Sequence, residues 1–297
     1  MVRVRVPATS ANIGPGFDSL GIAFNLYNEY EFSEIDIGLT FEGIPKEFCN
    51  TENMIYKAMI KCFKKGKYSA SGLNIKVIKM DVPISRGLGS SSNCIVAGLI
   101  GANYIMGNKF SKDELFNIAV EMEGHPDNVA PAIFGDMVAA VMHNGIAVYN
   151  KINIKTGVKF IALIPDFKLE TKEAREVLPK EITLKQGIYN ISRSALLVSC
   201  FSTGNYKNLK YACDDSIHQK YRSKLINHYD EVYGKCYELG ALGCFLSGAG
   251  PTIMTMVKDD DEKIILGIKE YLKNNNINWG VVELKVDNTG AVLRGEN

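Results

Sequence analysis

PISRGLGSSSN, residues 83–93, stands between a predicted strand and the clearest predicted buried helix of the chain. Residues 73–77 alternate apolar and polar side chains, as in a strand, whereas residues 90–106 form a small and apolar run that predicts a buried helix. Pro83 ends the strand because proline has no N–H to donate to a neighbouring strand. Gly87 and Gly89 permit unusual backbone angles and let a ligand approach the main chain. The segment is therefore predicted to be a strand–loop–helix unit with an accessible loop.

The beginning of this helix is suited to binding an anion. Amides in the first turn of a helix have no partner inside the helix, and the helix dipole adds partial positive charge there. Phosphate is the natural occupant, and the serine hydroxyls at 90–92 could also ligate Mg²⁺, which prefers oxygen. The alternative is a loop that only caps the helix, although three serines exceed what one cap needs. The segment matches neither GxxxxGK[ST] nor GxGxxG, so it is neither a Walker loop nor a dinucleotide fingerprint.

Two further segments combine turn residues with ligand-binding groups. In residues 7–21 (PATSANIGPGFDSLG), Asn12 and Asp18 could bind an amino or hydroxyl group, or the segment could be an irregular turn. Residues 121–135 (EMEGHPDNVAPAIFG) contain two prolines, which predict a loop rather than a continuous helix. Glu123 in this segment could hold Mg²⁺. Its other polar residues could contact a substrate or cap the next turn: His125, Asp127 and Asn128.

Composition and charge favour a soluble protein with a small ligand. Apolar residues make up 46% of the 297 residues, which is enough for a packed core. The 34 basic and 33 acidic residues nearly cancel, which disfavours nucleic acid or an anionic membrane as partner. The seven cysteines include no CxxC pair, so neither a disulfide framework nor a zinc ribbon is predicted. We expect a cytoplasmic protein that binds neither nucleic acid nor membrane, with a monomer and a homodimer both open.

The pattern of strands and helices pauses near residue 155. Before it, short strands alternate with helices; after it, an apolar strand at 158–164 is followed by several helices. Two strands around a Gly-Pro turn, a helix at 261–274 and a strand at 279–286 complete the chain. This order predicts an α+β protein with helices packed on sheets. We expect an N-terminal domain at 1–155 and a C-terminal domain at 156–297.

The segments described above, in this order, resemble the GHMP small-molecule kinases. Residues 83–91 match the family's phosphate loop, Pro-x3-Gly-Leu-Gly-Ser-Ser, and residues 246–252 (LSGAGPT) match its C-terminal glycine-rich turn. Residues 7–21, 123–135 and 171–179 (TKEAREVLP) are most similar to members that act on L-homoserine. The resemblance implies an α+β, two-domain GHMP kinase fold. Its N-terminal mixed α/β domain would contain a left-handed crossover, contrary to the general rule, and its C-terminal domain would be a ferredoxin-like α/β sandwich.

The resemblance also implies the roles of individual residues. The ATP phosphates would lie against Pro83, Ile84, Ser85, Arg86, Gly87, Leu88, Gly89, Ser90, Ser91, Ser92 and Asn93, although Asn93 stands where a small alanine is usual. Ser91 and Glu123 would hold Mg²⁺. L-homoserine would contact Asn12, Asp18, His125, Asp127, Asn128, Arg175, Arg222 and Gly248. The catalytic residues would be Asp127, Asn128 and Arg175. Arg222 rests on a weaker match, because IHQKYRSKLI departs from the family pattern.

The implied reaction is transfer of the ATP γ-phosphoryl group to the side-chain hydroxyl of L-homoserine, a step toward threonine. Some family members have an aspartate where this chain has Asn128, and an asparagine cannot accept a proton as a base. We therefore expect Mg²⁺-assisted direct transfer without an obligatory side-chain base. Alternatives are a mevalonate or sugar kinase, a nucleotide sensor without turnover, and a structural or nucleic-acid-binding protein. Two arginines favour an amino acid over a sugar, and the two metal ligands disfavour a sensor.

Overall fold

Two β-sheets with their covering helices make up the computed structural model, which describes residues 1–294. The first half comprises β1 (Val2–Ala11), β2 (Leu20–Glu34), β3 (Gly38–Glu42), α1 (Met54–Gly66), β4 (Gly72–Met80), α2 (Ser90–Ile105), α3 (Lys112–Glu123), α4 (Val129–Phe134), β5 (Met137–His143) and β6 (Ile146–Ile152). The second half comprises β7 (Lys159–Pro165), α5 (Thr171–Glu176), α6 (Leu184–Thr203), α7 (Leu209–Ala212), α8 (Gln219–Arg222), α9 (Tyr229–Glu238), β8 (Gly243–Leu246), β9 (Ile253–Val257), α10 (Lys263–Asn274), β10 (Trp279–Leu284) and β11 (Val292–Arg294).

The first sheet has seven strands, in the order β11-β1-β2-β4-β3, with β5 beside β2 and β6 beside β5. Only β3 and β4 run parallel, joined through α1, while the other pairs are antiparallel. Apolar side chains of α1, α2, α3 and α4 share one buried core with this sheet. The last strand, β11, returns from the second half to pair with β1. The predicted range 156–297 thus includes a strand of the first sheet, and the hand of the crossover stays a prediction.

The second sheet has four antiparallel strands in the order β10-β7-β9-β8. With α9 before β8 and α10 before β10, this is the strand order expected of a ferredoxin-like sandwich. One face packs on α9 and α10. The other face packs on α6 and on the first sheet, where the rings of Phe24 and Phe160 lie 5.0 Å apart. The two sheets therefore share a core, and the site lies where their loops meet.

Local sequence patterns predicted most elements correctly, with two differences beside the site. Ser111 and Glu114 form the expected capping box of α3. The polar segment from residue 7 is strand up to Ala11, because β1 continues through a register shift after Pro7. The predicted loop over 121–135 is wrong beyond residue 128, since α4 forms with Pro131 in its first turn, where no intrahelical N–H is needed. Within residues 1–294, the helices are too short or too polar to cross a membrane.

Candidate active site

The loop before α2 exposes the first turn of that helix. Ser85, Gly87 and Gly89 have φ values of 54°, 77° and 70°, so the main chain turns sharply three times. A Cβ atom on Gly87 would lie 2.4 Å from the carbonyl oxygen of Ser247, which only glycine avoids. Within the described part of the chain, no side chain caps the beginning of α2. Its first amides are therefore available to an anion, as the sequence predicts.

The C-terminal glycine-rich turn holds this loop in place. The hydroxyl of Ser247 donates to the carbonyl of Gly87 at 2.5 Å, and the hydroxyl of Thr252 donates to the carbonyl of Arg86 at 2.6 Å. The guanidinium of Arg86 donates in turn to the carbonyl of Pro165 at 2.9 Å. Each bond joins a residue of the first half to one of the second half. The loop conformation therefore depends on both halves of the chain.

A buried network beneath the loop explains why Asn93 replaces the usual small residue. The amide of Asn93 donates to the carbonyls of Val6 and Pro7 at 2.9 and 3.1 Å, where β1 shifts register. Its oxygen accepts a 2.6 Å hydrogen bond from Tyr30, whose hydroxyl also accepts from Asn28. Burial raises the pKa of Tyr30 well above its usual value, so its hydroxyl stays protonated. The network ties the beginning of α2 to β1, a link that the sequence did not indicate.

Two serines of α2 meet the carboxylate at the end of α3. Ser91 donates to Oε2 of Glu123 and Ser92 to Oε1, both at 2.9 Å. Hydroxyl and carboxylate oxygens of this kind are the ligands that Mg²⁺ prefers. The pair predicted from sequence, Ser91 and Glu123, therefore fits a magnesium ion in its chemistry and lies directly beside the phosphate loop. Ser92, which is fully buried, holds the second carboxylate oxygen.

A cavity of about 530 Å³ opens beside the loop. One end is formed by residues 84–87 and 89–91 together with Glu123, Asn128 and the turn 248–250. The other end is called the apolar end for its side chains of Tyr30, Ile44, Pro45, Phe48, Met54, Val77 and Met80. It also contains the polar residues Asn28, Glu47, Asn50, Glu52 and Asn53. Residues 44–54 carry no motif, and they reach the cavity through the course of the segment that joins β3 to α1. Sequence reasoning therefore missed this end of the cavity.

A charged cluster lies in the loop between β1 and β2 and in the turn between α3 and α4. The ligating atoms of Asp18, His125 and Asp127 lie within 4.8 Å of one another. Asp127 accepts from the amide of Asn128 at 3.0 Å and lies 2.6 Å from Nδ1 of His125. Burial lowers the pKa of His125, but the hydrogen bond and charge of Asp127 outweigh it and raise this pKa overall. The predicted residues are thus adjacent.

Arg175 of α5 completes this cluster by pairing with Asp18. Its Nη2 and Nη1 atoms lie 2.7 and 3.2 Å from the two carboxylate oxygens. The hydrogen bond to Asp18 raises the pKa of Arg175. The side chains are 37% and 35% exposed, so a ligand can reach both. The pair therefore offers one group of each charge to a ligand that carries both.

Arg222 is buried next to this pair, with only 1% of its surface exposed. It donates to the carbonyls of Ala174 and Gly248, each at 3.0 Å, and has no salt bridge to a carboxylate within residues 1–294. Burial, and then the charge of Arg175, lower its pKa to about 10. Phe17 lies between the two arginines, its ring centre 5.1 Å from Cζ of Arg222. An unpaired buried cation of this kind favours an anionic ligand.

Asn12 joins the charged cluster to the second half of the chain. Its amide donates to the carbonyl of Gly248 at 2.8 Å, and its oxygen accepts from the amide of Asp18 at 3.0 Å. All the residues that the sequence singled out for the substrate thus lie in one region. Phe17 and Thr9 also lie there, although the sequence did not single them out as site residues. Thr9 donates to Oδ1 of Asn128 at 2.8 Å.

Comparison with known families and structures agrees with this architecture. Residues 53–136 match the family of GHMP kinases N terminal domain, and residues 198–274 match GHMP kinases C terminal. A homoserine kinase of Clostridium botulinum (strain Alaska E43 / Type E3) is 62% identical over 293 residues, which cover 99% of this chain and 98% of that protein.

Two solved structures are also similar. The homoserine kinase of Cytophaga hutchinsonii is 28% identical, with a TM-score of 0.88 over 99% of this chain and 97% of that chain. The L. major mevalonate kinase, solved with R-mevalonate, is 16% identical, with a TM-score of 0.72 over 96% of this chain and 95% of that chain. This second likeness concerns the fold alone.

Proposed function

The chain belongs to the GHMP kinase family, in the group of the homoserine kinases, and from this premise we propose that it phosphorylates L-homoserine with ATP. The products are ADP and O-phospho-L-homoserine, a step toward threonine. The observation that carries the proposal is that two sites of different chemistry, the cavity beside the phosphate loop and the charged cluster, lie next to each other. Asn128 lines the cavity beside the phosphate loop and follows Asp127 of the charged cluster. A nucleotide phosphate and a small zwitterion bound in these sites would meet beside Asn128.

ATP binds in the cavity, with its phosphates against the first turn of α2. The free amides of this turn and the left-handed conformations of Gly87 and Gly89 support this placement. The apolar end, with Pro45 and Phe48, offers a surface for the flat base. Ser91 and Glu123 would hold Mg²⁺. When bound, this ion neutralises negative charge on the phosphates.

L-homoserine binds in the charged cluster through its two opposite charges. Asp18 accepts from the ammonium group, and Arg175 and Arg222 donate to the carboxylate, for which the planar guanidinium is suited. Asp18 and Arg175 are paired with each other in this structure, so the substrate must replace one ionic contact by two. A substrate with only one charge leaves the other partner without compensation. This requirement favours an amino acid over mevalonate or a sugar.

Phosphoryl transfer proceeds here without an obligatory side-chain base. The bond between the γ-phosphorus and the oxygen leaving with ADP breaks, and the homoserine oxygen bonds to phosphorus. Asn128 cannot accept the hydroxyl proton, and Asp127 is already engaged by His125 and the amide of Asn128. Both residues align the hydroxyl, and its proton passes to phosphate or solvent. Positioning and charge neutralisation are the main requirements of this chemistry.

Release of ADP by the purified protein tests the proposed substrate. The assay contains ATP and Mg²⁺ with L-homoserine, mevalonate or galactose in separate reactions. We expect homoserine to stimulate ADP release strongly and the other two to leave it near the background. The proposal would be refuted if the folded protein released no more ADP with homoserine than without it. Stimulation by mevalonate or galactose instead would identify a different kinase, and ATP binding without turnover on any substrate would identify a nucleotide sensor.

A further inference from the structure

Thr9 lies on β1 between the phosphate loop and the turn that carries Asn128. It is fully buried. Its amide donates to the carbonyl of Leu88 at 3.2 Å, and its hydroxyl donates to Oδ1 of Asn128 at 2.8 Å. One residue of β1, a strand that pairs with β2, thus contacts both of the segments that meet at the reaction centre.

Gly89 leaves the space that this contact needs. A Cβ atom at residue 89 would lie 1.9 Å from the hydroxyl oxygen of Thr9 and 3.2 Å from Oδ1 of Asn128. The hydroxyl and the amide therefore pack directly against the main chain at the beginning of α2. A change in the orientation of the Asn128 amide would therefore alter the packing at the first turn of α2.

The hydroxyl of Thr9 fixes which end of the Asn128 amide faces the cavity. Within residues 1–294, Asn128 is the only hydrogen-bond partner of this hydroxyl. If the amide were turned over, Nδ2 would donate to Thr9, and the buried hydroxyl proton would have no acceptor. An unsatisfied buried donor costs about 1–3 kcal/mol, which strongly favours the observed orientation. With Oδ1 held by Thr9, the Nδ2 group of Asn128 is free to donate to a ligand.

We propose that Thr9 is a positioning residue for phosphoryl transfer, which holds the Asn128 amide with its Nδ2 donor directed at the reacting oxygen atoms. The inference rests on the proposed function, since it concerns the transfer to homoserine. A donor at this point stabilises negative charge that develops on those oxygens. An acceptor in its place would repel them. Thr9 touches neither substrate and acts only through Asn128.

The first test compares Thr9→Val, which removes the hydroxyl at nearly constant shape, with Thr9→Ser, which keeps it. We expect Thr9→Val to lower kcat about 30-fold, less than the roughly 10²–10³ lost when such a donor is removed outright, because the amide of Asn128 remains. Both KM values should stay within about threefold of wild type. Thr9→Ser should restore kcat to within about threefold of wild type, because it keeps the donor. Thr255→Val is the matched control, since Thr255 is also a buried strand threonine and donates to Cys236 away from the site. It should lose stability without losing kcat.

The second test asks whether Thr9 acts through Asn128. Asn128→Ala removes the amide, so Thr9→Val should change kcat by less than about threefold in that background, as expected for residues that act as one unit. If Thr9 had a purely structural role, Thr9→Val would lower kcat by the same factor with Asn128 present and in the Asn128→Ala background. Thermal unfolding of every variant identifies any that fail to fold, and Thr9→Ala replaces Thr9→Val in the cycle in that case.

The outcomes separate this inference from the proposed function. If the wild-type protein does not phosphorylate homoserine, the proposed function fails and this inference fails with it. If the wild type is active and Thr9→Val keeps its kcat within about threefold, the inference alone is overturned, since such a change is too small for a misdirected donor. Equal losses with and without Asn128 overturn it as well. The inference is supported if Thr9→Val lowers kcat, Thr9→Ser keeps kcat near the wild-type value, and Thr9→Val has almost no further effect in the Asn128→Ala background.

Discussion

The two sides of the proposed active site, one for the ATP phosphates and one for homoserine, offer opposite chemistry. On the phosphate side, residues 83–92 present amides and hydroxyls, with Arg86 turned away to the carbonyls of Pro165 and Asp166. On the substrate side, Asp18 and Arg175 form an ion pair and Arg222 is a buried cation. An anion held by uncharged groups needs no basic surplus in the protein, which agrees with a net charge of +1.

The two sides also differ in whether their binding groups are already free and fixed in place for the ligand. The loop is already fixed by Ser247, Thr252 and the network below Asn93. The charged side has its groups paired with each other, so the ligand must open the pair of Asp18 and Arg175. Changes near the phosphate loop should therefore lower kcat, whereas changes in the charged cluster should mainly raise the KM for homoserine.

The largest effect is expected from Glu123→Gln on the phosphate side. The change keeps the shape but removes the charge that would hold Mg²⁺, and we expect kcat to fall about 1,000-fold, since several kcal/mol of charge stabilisation are lost. Steady-state kinetics over a range of Mg²⁺ concentrations measures this. Glu121→Gln is the control, because Glu121 lies near the same end of α3 but pairs with Lys61 and Lys65. A loss below about tenfold in the Glu123 variant would contradict the assignment.

On the charged side, Arg175→Met and Asp18→Asn should each raise the KM for homoserine about 100-fold, since a hydrogen bond between charged groups contributes about 1.5–3 kcal/mol. The KM for ATP should stay within about threefold, because these residues lie outside the nucleotide cavity. Lys172→Met, an exposed change on the same helix as Arg175, serves as the control. Parallel rises in both KM values would mean that the two sides are not separate.

Asp127→Asn tests the point where the two sides meet. With no base required, turnover should fall less than about 1,000-fold, because only the alignment of His125 and Asn128 is disturbed. Single-turnover rates and homoserine binding are measured together. A larger fall at unchanged homoserine binding would show that Asp127 accepts the proton.

The smallest effect on catalysis is expected from Asn93→Ala, which removes an amide that bonds to three buried groups. Thermal or denaturant unfolding should show a loss of about 1–3 kcal/mol in the free energy of unfolding, as is usual for such groups. Asn150→Ala, at an exposed position of β6, should leave stability unchanged. An unchanged stability of the Asn93 variant would mean that the network does not hold the loop.

Contiguous motifs of the sequence predicted the strand–loop–helix unit of residues 72–105 well. The loop, α2 and the pair of Ser91 and Glu123 lie as expected, because a strand–loop–helix unit is largely specified by local residues. The ferredoxin-like strand order was predicted through the family resemblance.

Contacts between distant parts of the chain could not be predicted in the same way. Thr9 and Asn128 are 119 residues apart, and Asp18 and Arg175 are 157 apart. No local pattern marks such pairs, since folding alone brings them together. Local patterns also gave no sign of the apolar end of the cavity or of the role of Asn93, which stood out in the sequence only as a departure from a motif. The error at α4 arose because proline was treated as a helix breaker even in a first turn.

The most direct test of the account compares L-homoserine with two analogues that each lack one charge. 4-Hydroxybutanoate lacks the ammonium group and 3-aminopropan-1-ol lacks the carboxylate, while both keep the primary hydroxyl. If the ligand must open the pair of Asp18 and Arg175 with both of its charges, kcat/KM for ADP release should fall at least about 100-fold for each analogue. An analogue used as well as homoserine would contradict the account.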